Sequence, residues 1–207
     1  MKGIYNNVNI LRTSSEDEMI SEFLVTEYRS ERFSEQIKKA MKELLLDESI
    51  ILSVDLNNTN ENIARKKLLG EFRGYGLNRE LFENFPNEIQ WSLCNFISCD
   101  LNNIRYINYS YWNELSRGTH SPLSAAQTIR DGIEIYNQSN ANFIKAAEFI
   151  KNGGKFPRPI LLTSDLEHFV IVEGHFRITA FALVPEHFNN IECFVGKCSN
   201  EELKKWL

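Results

Sequence analysis

The chain has 207 residues, 43% of them hydrophobic and 25% charged, which suits one large globular unit or two small ones. Its formal net charge of −5 excludes a general electrostatic attraction to duplex DNA or to an anionic membrane and leaves a local basic pocket as the route to phosphate. No apolar run reaches the roughly 18 residues of a membrane span, and the amino terminus lacks the apolar stretch of a secretion signal, so a cytoplasmic protein without a membrane partner is expected.

In chain order, Ser15 precedes Glu16, Asp17 and Glu18 and reads as the cap of a helix with Met19, Phe23 and Leu24 on its apolar stripe. Ser34 opens a second helix carrying Ile37, Ala40, Met41, Leu44 and Leu45 and ending near Asp47. The β-branched run 49–56, bounded by Asn57 and Asn58, predicts a buried strand. A third helix over 60–72 stops at Arg73-Gly74-Tyr75-Gly76, which lacks the flanks of a phosphate loop and reads as a helix end. Asn78 is expected to cap a brief helical turn. Segment 88–98 fits both periods and leans to strand. Ser110 is expected to cap a turn over 111–116, Ser121-Pro122 to start a helix through Ile129, and Gly153-Gly154 to end a helix over 140–151. Cys94 with Cys99 and Cys193 with Cys198 are spaced too widely for paired zinc ligands and read as reduced thiols.

Beyond this the pattern changes to short apolar strands over 159–163 and 169–172, a helix from Gly174 through Leu183, and a strand over 191–195. The expected fold is α+β, with a mainly helical part over 1–105 packed on a mixed-sheet part over 106–207. A strand that ends in glycine and turns straight into a helix points several unpaired N–H groups, and the positive end of the helix dipole, at one spot. In Glu173-Gly174-His175-Phe176-Arg177, Gly174 clears backbone approach, Arg177 can fork onto two phosphate oxygens, and Glu173 can take a proton or hold magnesium. Arg177 in a surface ion pair and His175 as a helix-start residue are the plainer alternatives.

The stretch Arg158-Pro159-Ile160-Leu161-Leu162, followed by Phe169 to Leu183 with Gly174-His175-Phe176-Arg177-Ile178-Thr179 at its centre, resembles the core of the ParB/sulfiredoxin superfamily. The resemblance implies that Gly174, His175, Arg177 and Thr179 line a nucleotide phosphate site, with Glu173 at the acidic position of the kinase-like version and ATP or CTP with Mg2+ as cofactors. Phe176 stands where kinase-like members have a second histidine. His175 stands where sulfiredoxins have their reactive cysteine, which argues against sulfinic-acid reduction. The chromosome-partitioning members continue into a DNA-reading domain that does not follow here, so nucleic acid is an improbable partner for the isolated chain. Outside this stretch, Arg117 and His120 are candidates for further phosphate contacts, Trp112 for stacking on a base, and Arg158 for facing the pocket. The leading expectation is a phosphoryl-transferring or NTP-hydrolysing protein, with Glu173 and His175 as catalytic groups. The alternatives are a non-catalytic nucleotide-responsive module and a ParB-like DNA-associated protein or nuclease.

Overall fold

The computed structural model describes residues 8–207; the amino-terminal stretch weighed above for a secretion signal lies outside them. A six-stranded mixed sheet organises the chain. Its strands are β1 (Asn9–Thr13), β2 (Gln90–Phe96), β3 (Ile104–Arg105), β4 (Ile160–Thr163), β5 (Phe169–Glu173) and β6 (Ile191–Lys197), in the spatial order β1-β2-β6-β4-β5-β3. The β2/β6 and β4/β5 pairs are antiparallel, whereas β4/β6 and β3/β5 are parallel. Segment 88–98 thus supplies a strand. No helix among the described residues is long and apolar enough to cross a membrane.

Helices cover both faces because side chains alternate along each strand. Cys94, Phe96, Leu161, Ile171 and Val195 face α6 (Pro122–Arg130), α7 (Ala141–Lys151) and α8 (His175–Leu183), meeting Ile129, Phe143, Ile150 and Ile178. Trp91, Leu93, Leu162, Val170, Val172 and Phe194 face α1 (Glu16–Tyr28), α2 (Ser34–Glu43), α4 (Thr59–Arg73) and α9 (Asn200–Trp206), meeting Met19, Phe23, Met41, Leu69 and Leu203. The remaining helices are α3 (Ser49–Leu52) and α5 (Ser110–Leu115).

The caps of α1 and α4 follow their local chemistry. Ser15 accepts the Glu18 amide at the start of α1, and Asn58 accepts the Glu61 amide at the start of α4. Gly74 ends α4 in the left-handed region at φ +86°, its N–H on the Gly70 carbonyl. Tyr109 rather than Ser110 is the capping position of α5, and Asn78 receives the Asn84 amide across a 3-10 turn (Glu80–Phe82).

The predicted strand over 49–56 is a correction: the segment forms the single turn α3 and a loop. Asp47 accepts the Ser49 amide at 2.9 Å and Asp55 accepts the Asn57 amide at 2.9 Å, so local turns replace a ladder. The buried Arg65 guanidinium then donates to the carbonyls of Ile50 at 3.0 Å and Asp55 at 2.9 Å. Arg65→Leu strips both carbonyls of a charged donor and is expected to destabilise the protein by about 2–3 kcal/mol, checked by urea unfolding; a change within about 0.5 kcal/mol of zero would remove Arg65 from this role.

Candidate functional site

β5 ends at Glu173, and the chain turns through Gly174 at φ +102° directly into α8. The left-handed backbone at this position favours glycine, and an added Cβ would sit tightly, 3.0 Å from Arg177 Nη2 and 3.1 Å from Pro159 Cβ. The antiparallel pairing of Ile160 with Glu173 is what brings Pro159 alongside. No side chain caps the first turn of α8, whose amides open beside the strand end.

Arg177, in the first turn of α8, folds back onto Glu173 as an ion pair, with both side chains largely buried. Its Nε is enclosed and has no hydrogen-bond partner. From the opposite helical layer come Glu27 on α1 and Arg73 at the end of α4. Glu27 is 4% exposed. Burial pushes its carboxyl up to about 7 against the pull of Arg73; Glu173 adds to the rise, while Arg177 and Arg32 oppose it. Arg32 and Arg73 each lie 4.7 Å from the centroid of the Phe33 ring. Electrostatic coupling thus links three guanidinium groups and two carboxylates, drawn from the Gly174 turn and from the helical layer on one face of the sheet.

His175 stacks on Trp112 at 5.3 Å between centroids and on Tyr106 at 5.9 Å. The residue as a whole is half-buried, but its Nε2 is fully enclosed and unpartnered. Burial, followed by the charges of Arg177 and Arg73, holds the imidazole down at about 3, so it is neutral near pH 7.

A concentration of unmet hydrogen-bonding capacity distinguishes this region. Among the described residues, eight buried side-chain atoms lack a partner: Thr26 Oγ1, Glu27 Oε2, Arg65 Nε, Arg73 Nε, Asn113 Oδ1, Asn140 Oδ1, His175 Nε2 and Arg177 Nε. Buried polar groups are ordinarily satisfied, and an orphan calls for an explanation such as an ordered water, a bound ion or a catalytic role. Four of these atoms belong to residues coupled electrostatically through the Glu27 and His175 interactions above. Two arginines and a bare glycine turn suit phosphate oxygens. The same residues do not fit a resident magnesium ion: Glu173 is committed to Arg177, Glu27 sits among arginines, and no group of three or more metal-binding side chains occurs among the described residues.

The other predicted residues fall elsewhere or serve packing. Thr179 is fully buried, donates to the His175 carbonyl at 2.7 Å and receives the Tyr106 hydroxyl at 2.6 Å. Trp112 is surrounded by the rings of Tyr106, Tyr111, Phe143 and His175. Arg158 binds Glu192 at 2.8 Å and Glu22 at 3.2 Å, tying β4 to β6 and α1. Arg117 pairs with Asp131 at 2.5 Å on the surface, and His120 lines a separate cleft beside β3. Cys94 and Cys193 are buried register partners on β2 and β6, consistent with packed thiols.

Glu27 is not among the residues singled out from sequence, and Arg73 is read there only as part of the helix end Arg73-Gly74-Tyr75-Gly76. A signal for Glu27 existed: it follows Ile20, Phe23 and Leu24 at helical spacing, so a carboxylate occupies a position of the buried stripe. Comparison with family models, curated proteins and solved structures finds no match to this chain.

Proposed function

We propose that the chain binds a nucleotide or another phosphate compound at the Gly174 turn and catalyses phosphoryl transfer or nucleoside triphosphate hydrolysis there. The observation that carries this reading is the set of enclosed, unpartnered polar atoms of Glu27, Arg73, His175 and Arg177 around a left-handed glycine turn. The resemblance to the ParB/sulfiredoxin superfamily supports the same placement. A bound nucleoside triphosphate would supply the phosphoryl group, its terminal P–O bond breaking as the nucleoside diphosphate leaves, with magnesium carried on its phosphates.

In this mechanism Arg73 and the free Nε of Arg177 hold phosphate oxygens, and the amides after Gly174 receive the oxygen nearest the helix. His175 contributes a hydrogen bond through Nε2 as a neutral ring rather than as a charge. Glu173 fixes the Arg177 fork. Glu27, with its carboxyl near 7, accepts the proton of the attacking water or hydroxyl as the new P–O bond forms.

Release of inorganic phosphate from ATP or CTP with magnesium tests the reading. Turnover that falls by two orders of magnitude or more in Glu27→Gln, with nucleotide binding retained, is the expected outcome. A non-catalytic, nucleotide-responsive module is the second reading, favoured by the commitment of Glu173 to Arg177. Nucleotide binding by the wild type without any phosphate release establishes that module and ends the catalytic account.

A further inference from the structure

A cleft of about 710 Å3 lies at the other end of β5 from Gly174, between the β3–β5 edge and α9. Its walls include Arg105 from β3, His120 from the loop before α6, His168 at the start of β5 and Lys204 from α9. One arginine, one lysine and two histidines from four separate segments thus converge in a chain whose net charge is −5. Arg105 and Val170 are register partners on β3 and β5, which seats the guanidinium beside an apolar floor that Leu203 continues. Val170 and Leu203 are 7% and 6% exposed and belong to the core beneath the cleft.

The hydrogen-bond inventory gives the cleft its sign. Asp165 is the acidic side chain on its wall, and its acceptors are already used. Oδ1 takes the amides of Glu167 and His168, each at 2.8 Å, and Oδ2 faces His168 Nδ1 at 2.9 Å. Arg105 uses Nη1 on the carbonyls of Asn102 and Ile104, which leaves its other nitrogens available, and Lys204 has no ion-pair partner among the described residues. The volume falls in the range of roughly 300–1,000 Å3 that small-molecule sites occupy.

We propose that this cleft is a second binding site, specific for a small organic carboxylate with an apolar body, whose anionic group is held by Arg105 and Lys204 while the body covers Val170 and Leu203. His120 and His168 line the rim of the cleft. The site is separate from the Gly174 turn, because the two lie at opposite ends of a five-residue strand. It does not depend on the phosphate-binding reading.

Ligand-observed NMR and calorimetric titration with a series of alkyl and aryl carboxylates, from benzoate to 4-phenylbutyrate and naphthylacetate, test the proposal alongside the amines and alcohols of matched carbon skeleton. At least one carboxylate is expected to bind with one site per chain, ten times more tightly than its amine or alcohol. Loss of either charged donor is worth about tenfold. Arg105→Gln and Lys204→Gln, singly and together, should therefore weaken it, while Arg73→Gln leaves it unchanged. Both substituted side chains reach solvent, and circular dichroism and melting temperature verify that the variants are folded. Absence of carboxylate binding at millimolar concentration, equal affinity for amine and carboxylate, or undiminished binding in the double variant would each overturn the proposal.

Discussion

Arg177→Ala is expected to lower the free energy of unfolding by about 3–5 kcal/mol, the largest loss of any single side chain at the turn. Removing the guanidinium leaves Glu173 facing a buried void without its counter-charge, and Glu27 loses one of the cations that temper its burial. It also vacates the space against which Gly174 is packed. Arg177→Lys should recover only part of this, since one ammonium cannot both reach Glu173 and fill the planar fork. Urea unfolding at pH 7 measures both. A loss below about 1 kcal/mol for Arg177→Ala would place the pair among solvent-screened surface bridges, contrary to its burial.

Glu27→Gln is expected to stabilise the protein at pH 8 by up to about 3 kcal/mol and to be neutral near pH 4.5. The folded state holds a proton on Glu27 up to about 7, whereas the unfolded chain releases it near the ordinary 4.5. The folded state therefore binds more protons between these values, and the wild type loses stability as pH rises through that window. His175 contributes the opposite slope. Its folded value near 3 lies below the ordinary 6.5, so its contribution is lost as pH falls from 6.5 towards 3. That slope is common to wild type and variant, and the difference between their unfolding curves at pH 4.5, 6 and 8 isolates Glu27. A difference that does not grow with pH would mean that the carboxyl titrates normally. Gain of stability with loss of turnover in the same variant is the pattern expected when a strained group is kept for function.

The turn was legible because its determinants are local. Gly174 announces a left-handed residue at a strand end, Pro159 and Phe169 open runs that become β4 and β5, and the apolar spacing of Ile178 and Phe181 marks α8. Less was legible where structure depends on partners distant in sequence. Asn9–Thr13 is exposed at every position, so β1 has no alternation to read, and its pairing comes from β2 some eighty residues later. β3 is only two residues long. The run 49–56 has strand composition, but Arg65 captures its carbonyls. Helix α9 did carry a signal, Ser199 accepting the amide of Glu202 three residues later. The candidate site divides in the same way: Glu173, His175 and Arg177 lie in one motif, while Glu27 and Arg73 are coupled to it from α1 and α4, distant in sequence. Composition could also not foresee that Trp112 and Thr179 would spend their capacity on His175 and Tyr106.

The most direct test of the central claim is a thermal-shift and calorimetric titration of ATP, CTP, GTP, ADP and inorganic phosphate, with and without magnesium, on wild type and on Arg73→Gln. A ligand at 100 times its dissociation constant should add about 2.7 kcal/mol of stability. The account predicts that at least one of these phosphates raises the melting temperature of the wild type and binds at least tenfold more weakly to Arg73→Gln. No shift with any of them, or a shift that the variant keeps in full, would contradict it.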